Sequence, residues 1–278
     1  MSDSAPMSDN ADPTAHRADP ELLAAVVTAA AAAGGRLLAD FSADTRPASR
    51  SDMAALGRHL EDLVLTELRP ALAALAPGAG WVDDDLETVP LPPGDWWVVD
   101  AVEGAVNYVH GLTEWAVTVA LVRDGRPELA VVCQPAAGLT YTAVRGGGAY
   151  RNGQRLRVSA KTALDAAVTA TGQAEADQED TYRRIGASVT AMLDRALLVR
   201  ALVPSTFPML LIAAGQADVF WQYEPVLPGL AAGALLITEA GGTVSQIDGS
   251  AWGPGSPDFL AAAPGLHRAA AETLAAVA

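Results

Sequence analysis

The sequence predicts a layered α/β protein, with antiparallel strands in its first half and alternating strands and helices in its second half. Between residues 96 and 159, short apolar runs are separated by pairs such as Asp124-Gly125 and Asn152-Gly153, which are typical of β-hairpin turns. From residue 160 onward, apolar runs of strand length alternate with longer runs of helical periodicity. Half of the 278 residues are hydrophobic, so the chain can bury the core that such layers need.

Two helices are predicted ahead of the strands. The first begins at Asp19-Pro20, where an acidic N-cap precedes a proline, and covers residues 22–41. The second begins at Ser51-Asp52, and its leucine and valine residues recur at helical spacing until Pro77-Gly78 ends it. A short strand over residues 81–87 is expected next, and it ends in acidic residues.

The later elements follow the two patterns described above. In the first half the predicted strands are 96–99, 117–122, 129–133 and 140–144. In the second half they are 167–171, 196–203, 217–222 and 243–246, with helices over 180–194, 208–214 and 230–240. The change of pattern divides the chain into an N-terminal half, 19–159, and a C-terminal half, 160–278. Residues 1–18 are polar and lack the features of a signal peptide, so they are predicted to be a disordered tail.

Charge and cysteine content exclude several classes of partner and site. The formal net charge of −15 argues against nucleic acid and against an anionic membrane, because both are bound by clustered Lys and Arg. The Ala-rich run over residues 22–33 is followed by two glycines and is interpreted as a helix of a soluble protein. The single cysteine, Cys133, fits a reducing cytoplasm, and its apolar neighbours predict a buried thiol rather than a nucleophile.

The most informative segment is Asp100-Ala-Val-Glu-Gly-Ala-Val-Asn-Tyr-Val-His-Gly111, which follows the apolar run Trp96-Trp97-Val98-Val99. It places two carboxylates, Asp100 and Glu103, at the end of a predicted buried strand and ahead of a glycine and a turn. Carboxylates in such a position can hold a divalent cation or transfer protons.

This segment resembles the active-site motif of the inositol monophosphatase family, Trp-x-x-Asp-Pro-x-Asp-Gly-Thr-x-Asn-Phe-x-His-Gly. The residues that match are Trp97, Asp100, Gly104, Asn107, Tyr108 (in place of Phe), His110 and Gly111. Two residues differ, since Glu103 replaces the second Asp and Ala105 replaces the Thr. Further family landmarks occur in the family's order at Asp124-Gly125, 145–149, Asn152-Gly153, Ala217-Asp218 and 239–242.

The resemblance implies a fold and a chemistry. The implied fold is a five-layer αβαβα sandwich, usually a homodimer, with the active site between the two halves. Family members hydrolyse phosphate monoesters with two or three magnesium ions, which bind carboxylates, polarise the phosphoryl oxygens and activate water.

The resemblance also implies which residues would hold a metal here. Asp83-Asp84-Asp85 is similar to the family's Gly-Glu-Glu, which makes Asp84 the expected counterpart of its ligand. Asp84, Asp100, Glu103 and the carbonyl of Val102 are expected to hold at most one ion. The reason is that magnesium requires oxygens at about 2.0–2.1 Å, and the extra methylene of Glu103 reshapes the site.

Other parts of the hydrolytic machinery are missing. Pro228-Gly229 aligns with the Trp-Asp pair that supplies the last ligand of the second metal, and glycine has no side-chain oxygen. Ala105 stands where a Thr helps to activate water, and Gly57 aligns loosely with the partner Asp of that Thr. Ordinary phosphatase activity is therefore expected to be low, because each 1.4 kcal/mol or so of lost stabilisation is tenfold in rate.

The remaining acids predict a different use of the site. Crowded carboxyl groups beside aromatic walls have a raised pKa and can act as general acids, so Asp84, Asp100 and Glu103 are the candidate catalytic residues. The candidate substrate-binding residues lie near these acids in sequence or match the substrate contacts of the family. They are Gly104, Ala105, Trp81, Trp96, Ser205, Thr206, Gln222 and Tyr223.

Three functions remain open at the level of the sequence. The first is a repurposed enzyme of biosynthesis that cyclises, isomerises or eliminates from a small molecule and needs no cofactor for its main activity. The second is a weakened phosphatase for an inositol or sugar phosphate, with a single residual magnesium site. The third is a non-catalytic binding or regulatory homologue. The residues do not identify the substrate.

Overall fold

A computed structural model describes residues 20–42, 44, 46–173 and 178–277, and describes the backbone but not the side chain of Asp84. The predicted tail over residues 1–18 lies outside the described residues. The helices of the described chain are α1 (Pro20–Asp40), α2 (Arg50–Leu75), α3 (Ala105–Val109), α4 (Glu179–Leu193), α5 (Thr206–Ala213), α6 (Pro228–Glu239) and α7 (Pro264–Ala275).

The strands of the described chain form two sheets. The first contains β1 (Gly80–Trp81), β2 (Asp95–Glu103), β3 (Ala116–Arg123), β4 (Arg126–Gln134), β5 (Leu139–Val144), β6 (Gly148–Arg151) and β7 (Gln154–Arg155), in that order. All of its pairings are antiparallel except that of β1 with β2. The second contains β8 (Val168–Thr171), β9 (Leu198–Ala201), β10 (Val219–Tyr223), β11 (Thr243–Ser245) and β12 (Asp258–Ala262), in the spatial order β11-β12-β10-β8-β9.

Three apolar cores join the helices and sheets into five layers. The first core packs α1 and α2 on one face of the seven-stranded sheet, with Leu37, Leu68 and Trp97 among its buried residues. The second core fills the centre, where α5 and α6 lie between the two sheets. The third core packs α4 and α7 on the outer face of the five-stranded sheet. The predicted αβαβα sandwich is therefore confirmed.

Helix α1 is the only helix of the described chain whose length and composition would allow it to cross a membrane. One of its faces packs into the first core through Val26, Ala30 and Leu37, none of which is exposed to solvent. A core helix of a soluble protein passes the same test of length and composition. The predicted burial of Cys133, in the same core, is confirmed.

Several predicted boundaries need correction. Helix α2 begins at Arg50, because Ser49 is the N-cap and its hydroxyl accepts a hydrogen bond from the Asp52 N–H at 3.1 Å. The expected strand over 81–87 is wrong beyond Trp81, since residues Asp84–Leu86 form a 3₁₀ turn. Strand β12 and helix α7 lie in a part of the sequence for which no element was predicted.

Candidate functional site

The first feature of the site is a β-bulge that turns two acids to the same face of strand β2. Side chains of a strand alternate between its faces, so residues three apart would point in opposite directions. Between Asp100 and Glu103, however, β2 advances three residues while its partner advances two, from Thr118 to Ala116. The extra residue restores the common direction. The strand thus includes both acids, which corrects the prediction that they follow it.

Glu103 lies in a buried position, with only 3% of its surface exposed. Burial raises the pKa of its carboxyl group well above the usual range, and the negative charge of Asp100 and a hydrogen bond with Asp100 raise it further. The backbone N–H of Thr206 donates to Glu103 Oε1 at 3.1 Å and opposes part of this shift. The Glu103 carboxyl group therefore holds a proton more tightly than an ordinary glutamate and lies in contact with a second carboxyl group.

The segment after β2 is connected to a loop from the C-terminal half of the chain. Gly104 has a φ of +88°, and a Cβ atom there would lie 2.7 Å from the Glu114 carbonyl oxygen, so only glycine fits. Asn107 Nδ2 in α3 donates to the carbonyl oxygens of Glu114, at 2.8 Å, and Val203, at 3.1 Å. These two bonds hold the loop ahead of α5 against the acids of β2.

The first residues of α5 and α6 meet beside Glu103. Thr206 Oγ1 donates to the carbonyl oxygen of Gly229 at 3.1 Å, which joins the two helix starts. A Cβ atom at Gly229 would lie 3.8 Å from Glu103 Oε2 and 3.9 Å from Ser205 Cβ, both ordinary contact distances. The position therefore has room for a side chain and faces the acid, but glycine supplies no ligand.

These elements surround a cleft of about 640 Å³. Seven of the predicted site residues line it: Asp100, Val102, Glu103, Gly104, Ala105, Ser205 and Gln222. Ser205 Oγ donates to Gln222 Oε1 at 2.5 Å, so two predicted contacts form one polar group on the wall. A cleft of this volume suits a small molecule.

Four predicted substrate-binding residues do not line the cleft. Trp81 is stacked under Arg69, whose guanidinium carbon lies 4.7 Å from the ring centroid. Trp96 packs on the central core and donates from Nε1 to the Pro92 carbonyl oxygen at 2.9 Å. Tyr223 is buried in the third core, and Thr206 is completely buried beneath the cleft. Their closeness in sequence to the acids did not bring their side chains to the cleft surface.

Asp84 follows β1 and lies in the 3₁₀ turn Asp84–Leu86, but its side chain lies outside the described part of the structure. Its predicted role as a ligand or catalytic residue stays a prediction. A different acid of the same loop, Glu87, lines the cleft. The acidic composition of residues 83–87 was the sequence signal for this wall, and Glu87 is the member of that segment whose described side chain lines the cleft.

Sequence reasoning also missed most of the apolar wall. Val106, Val203 and Val226 line the cleft, although they come from three separate segments of the chain. Glu61 of α2 lines it as well. No local pattern distinguishes these residues from others on the surface, since their position results from the packing of both halves.

The family model that describes the inositol monophosphatase family matches residues 21–278 of this chain. A curated relative, inositol-1-monophosphatase of Rhizobium meliloti (strain 1021), is 34% identical over 183 residues, which cover 66% of this chain and 68% of the relative. The Nus factor SuhB of Pseudomonas aeruginosa is 37% identical over 158 residues, or 55% of this chain and 57% of that protein. The chain therefore belongs to the inositol monophosphatase family.

Solved structures agree with this assignment at the level of the fold. The inositol monophosphatase of Anabaena (Nostoc) sp. PCC 7120 superposes with a TM-score of 0.80 at 21% identity, covering 93% of this chain and 96% of that one. The protein described as Thermotoga maritima IMPase TM1415 superposes with a TM-score of 0.76 at 22% identity, covering 92% of this chain and 98% of that one.

The residues present do not fit the pair of magnesium ions that the family implies. Gly229 offers no side-chain oxygen at the position expected to complete the second site, and the Glu103 carboxyl group, whose pKa is raised by burial, already bonds to Asp100 and Thr206. Within the described residues, no three Asp, Glu, His or Cys side chains are grouped so that they could hold a metal ion. Magnesium prefers several ionised oxygen ligands at fixed distances, which this arrangement does not provide.

Proposed function

We propose that this family member is an acid/base enzyme that acts on a small molecule in the cleft, rather than an efficient two-metal phosphatase. The observation that carries the proposal is the Asp100–Glu103 pair. Glu103 is buried and the pKa of its carboxyl group is raised, Asp100 lies beside it at the cleft, and Gly229 leaves the second metal without its side-chain ligand. Two adjacent carboxyl groups, one buried and one only partly buried, are a common arrangement for paired acid/base catalysis.

In this mechanism the two groups have opposite roles. Asp100 accepts a proton from a carbon or hydroxyl of the substrate, and Glu103 donates its proton to an oxygen that gains negative charge or leaves as water. Asp100 is oriented for this role because its Oδ1 accepts from the Val102 N–H at 3.0 Å. A positioned acid or base typically contributes about 10²–10⁴ in rate. The same proton transfers serve elimination, isomerisation and cyclisation.

A second candidate function is a weakened phosphatase with one magnesium ion. The observation in its favour is that the curated relatives include inositol-1-monophosphatases, and that Glu61, Glu87 and Asp100 place carboxylates in the same cleft. A single ion would be held by Asp100 and the Val102 carbonyl with one of these acids, and would polarise a phosphoryl oxygen. A third candidate, a binding or regulatory role, is favoured by the relatives described as Nus factors.

A test of the acid/base role uses 5-nitrobenzisoxazole, whose ring opens to a coloured cyanophenolate when a base removes its C–H proton and the N–O bond breaks. The wild-type protein should accelerate this opening, and Asp100→Asn should remove the acceleration because the amide is not basic. Asp124→Asn, an isosteric change in a distant turn, is the matched control. Equal rates for the wild type and the Asp100 variant would refute the proposal.

The two-metal alternative is tested by restoring the missing groups. The triple variant Glu103→Asp, Ala105→Thr, Gly229→Asp should bind magnesium in calorimetry and release phosphate from inositol 1-phosphate, whereas the wild type should do neither at millimolar magnesium. Gly229→Ala is the control for occupying the same space, since a Cβ atom fits there. Wild-type hydrolysis as fast as that of the triple variant would establish the phosphatase instead.

Three further expectations belong to this proposal. The protein is expected to be cytoplasmic, to form a homodimer, and to need no cofactor for its main activity. Its partner is a small-molecule substrate, and no nucleic acid or membrane is expected to bind. A biosynthetic role follows if the substrate proves to be an intermediate that is cyclised, isomerised or dehydrated.

A further inference from the structure

The lining of the cleft carries acidic groups without basic ones. Glu61, Glu87 and Asp100 line it beside Glu103, whose raised pKa favours the neutral form, and none of the lining residues in the described part of the chain is Lys, Arg or His. A phosphate ester carries negative charge and would be repelled by this lining, unless bound metal ions reversed the local sign. The groups that would hold two such ions are incomplete, as shown above. Charge therefore favours a cation in the cleft.

The same cleft has an apolar mouth. Val106, Val203 and Val226 are 47%, 44% and 38% exposed, and all three line the cleft. They come from α3, from the loop ahead of α5 and from the loop ahead of α6. Asn107 holds the first two segments together through its bond to the Val203 carbonyl. Branched apolar side chains left exposed around one concave site are typical of a surface that a ligand covers.

We propose that the cleft binds a small organic cation, an amine protonated at neutral pH and attached to an apolar ring or chain. The ammonium group lies near the Asp100 carboxylate, and the hydrocarbon part contacts the three valines. The Ser205–Gln222 pair supplies a polar group in the lining for a hydroxyl or carbonyl of the ligand. This inference rests on the proposed function only in treating the cleft as the substrate site.

The acidic lining and the apolar mouth together indicate which kind of ligand the cleft binds. An acidic lining alone would suit a metal ion, and an apolar mouth alone would suit a neutral hydrocarbon. A hydrated divalent ion makes no use of exposed valines, and a neutral hydrocarbon leaves the Asp100 carboxylate without a counter-charge. A protonated amine on an apolar group can pair with the Asp100 carboxylate and contact the valines at the same time. The charge pair is effective because partly desolvated opposite charges attract more strongly than they do in water.

The experiment compares three probes that share one ring: cyclohexylamine, cyclohexanol and cyclohexyl phosphate. Binding to the full-length wild-type protein is measured by calorimetry at low salt without magnesium, and again with magnesium chloride alone. The amine should bind at least about tenfold more tightly than the alcohol, and its advantage should shrink at high salt. The phosphate should show no binding. Amine binding no tighter than that of the alcohol, or a phosphate that binds best, would overturn the inference.

Two pairs of variants assign the contacts. Asp100→Asn should remove most of the preference for the amine over the alcohol, while Asp124→Asn, in a turn of the seven-stranded sheet, should retain it. Val226→Ser should weaken the binding of the amine and of the alcohol by a similar factor. Val89 is an exposed valine that does not line the cleft, so Val89→Ser should change neither affinity. If the Asp100 variant keeps the preference for the amine, the proposed contact between the ammonium group and Asp100 is refuted. Thermal melting confirms that each variant is folded.

The outcome is separable from that of the proposed function. A protein that selects the amine but opens 5-nitrobenzisoxazole without help from Asp100 would refute the acid/base role and support the cation site. A protein that shows the Asp100-dependent opening but no preference for the amine would support the acid/base role and refute the cation site. Tight binding of magnesium alone that excludes the amine would refute the cation site in favour of a metal.

Discussion

Glu103 is the residue whose surroundings depart furthest from those of an ordinary carboxyl group. It is buried, it contacts Asp100, and its backbone partner is the N–H of Thr206. In the motif of the family the corresponding residue is an aspartate that would be ionised on magnesium. The longer side chain reaches the starts of α5 and α6, where burial raises the pKa of its carboxyl group. A substitution that is conservative in sequence terms thus places a carboxyl group with a raised pKa in the site.

The raised pKa of Glu103 makes stability depend on pH in a definite direction. Its pKa is higher in the folded state than in the unfolded one, so its contribution to the free energy of unfolding is complete below the unfolded pKa, about 4.3 for a glutamate, and is lost as pH rises through the folded value. Glu103→Gln keeps the shape without the titration. The free energy of unfolding of the variant, relative to that of the wild type, should therefore increase as the pH rises. The increase should reach about 1–3 kcal/mol at alkaline pH.

Urea unfolding at several pH values between 4 and 9 measures this difference. Glu114→Gln, which removes an exposed carboxyl group near the same loop, controls for the loss of one charge. A difference between Glu103→Gln and wild type that stays constant with pH would mean that Glu103 titrates alike in the folded and unfolded states. The role of proton donor that the proposed mechanism assigns to Glu103 would then be wrong.

At the scale of elements, a buried carboxylate connects the two halves of the chain. Asp218, which precedes β10 and is not exposed, accepts hydrogen bonds from Ser159 Oγ at 2.5 Å, from Lys161 Nζ at 2.7 Å and from the Val168 N–H at 2.7 Å. Ser159 and Lys161 belong to the segment that leaves the seven-stranded sheet, and Val168 begins the five-stranded one. The residue therefore fixes the path between the sheets.

Replacing Asp218 by Asn should lower the free energy of unfolding by about 2–3 kcal/mol. The amide can accept at only one atom, so at least one of the three donors loses its partner, and the bond from the ammonium loses its charge assistance. Urea unfolding gives the value. Asp165→Asn, an exposed change in the same segment, should stay within about 0.5 kcal/mol of wild type. Equal effects of the two substitutions would contradict this account.

At the scale of the whole molecule, the five layers depend on close packing of the two central helices. Helix α6 is buried along nearly its whole length between the sheets. A Cβ atom at Gly233 would lie 2.9 Å from Met209 Cβ of α5 and closer still to the end of that side chain. The glycine therefore sets the distance between α5 and α6. Both helices begin beside Glu103, so their spacing also determines the shape of the cleft.

Gly233→Ala should lower the free energy of unfolding by about 1–3 kcal/mol, because the added methyl group overpacks the central layer. Gly186→Ala in α4 is the matched control. A Cβ atom there meets no neighbour within 4 Å, so this variant should be stabilised by about 0.5–1 kcal/mol through helix propensity. Chemical denaturation of both variants measures the two changes. Two shifts of the same sign would contradict the proposed role of Gly233.

Much of the fold was predictable because its signals are local. Asp124-Gly125 and Asn152-Gly153 adopt positive φ at both residues, as the tight hairpin turns of the meander require. The predicted strands on either side of Asp124-Gly125 were found, whereas β6 and β7, which flank Asn152-Gly153, had no predicted bounds. The helical periodicity of α1 and α2 was likewise visible, apart from boundary shifts of one or two residues. Strand β12 and helix α7 went without a prediction, because a run of alanines around Pro264 favours neither element clearly.

The sequence by itself determined the family, the layered fold and the altered acid pair, because turns, periodicity and motif spacing depend on neighbouring residues. Only the tertiary structure decided how these parts act together. The bulge in β2 sets Asp100 and Glu103 on one face, and packing of the helices buries Glu103 and raises the pKa of its carboxyl group. The valines of the cleft mouth meet from three distant segments, whereas Trp81 and Trp96 pack elsewhere. Burial and long-range contact depend on the whole chain, which no local pattern encodes.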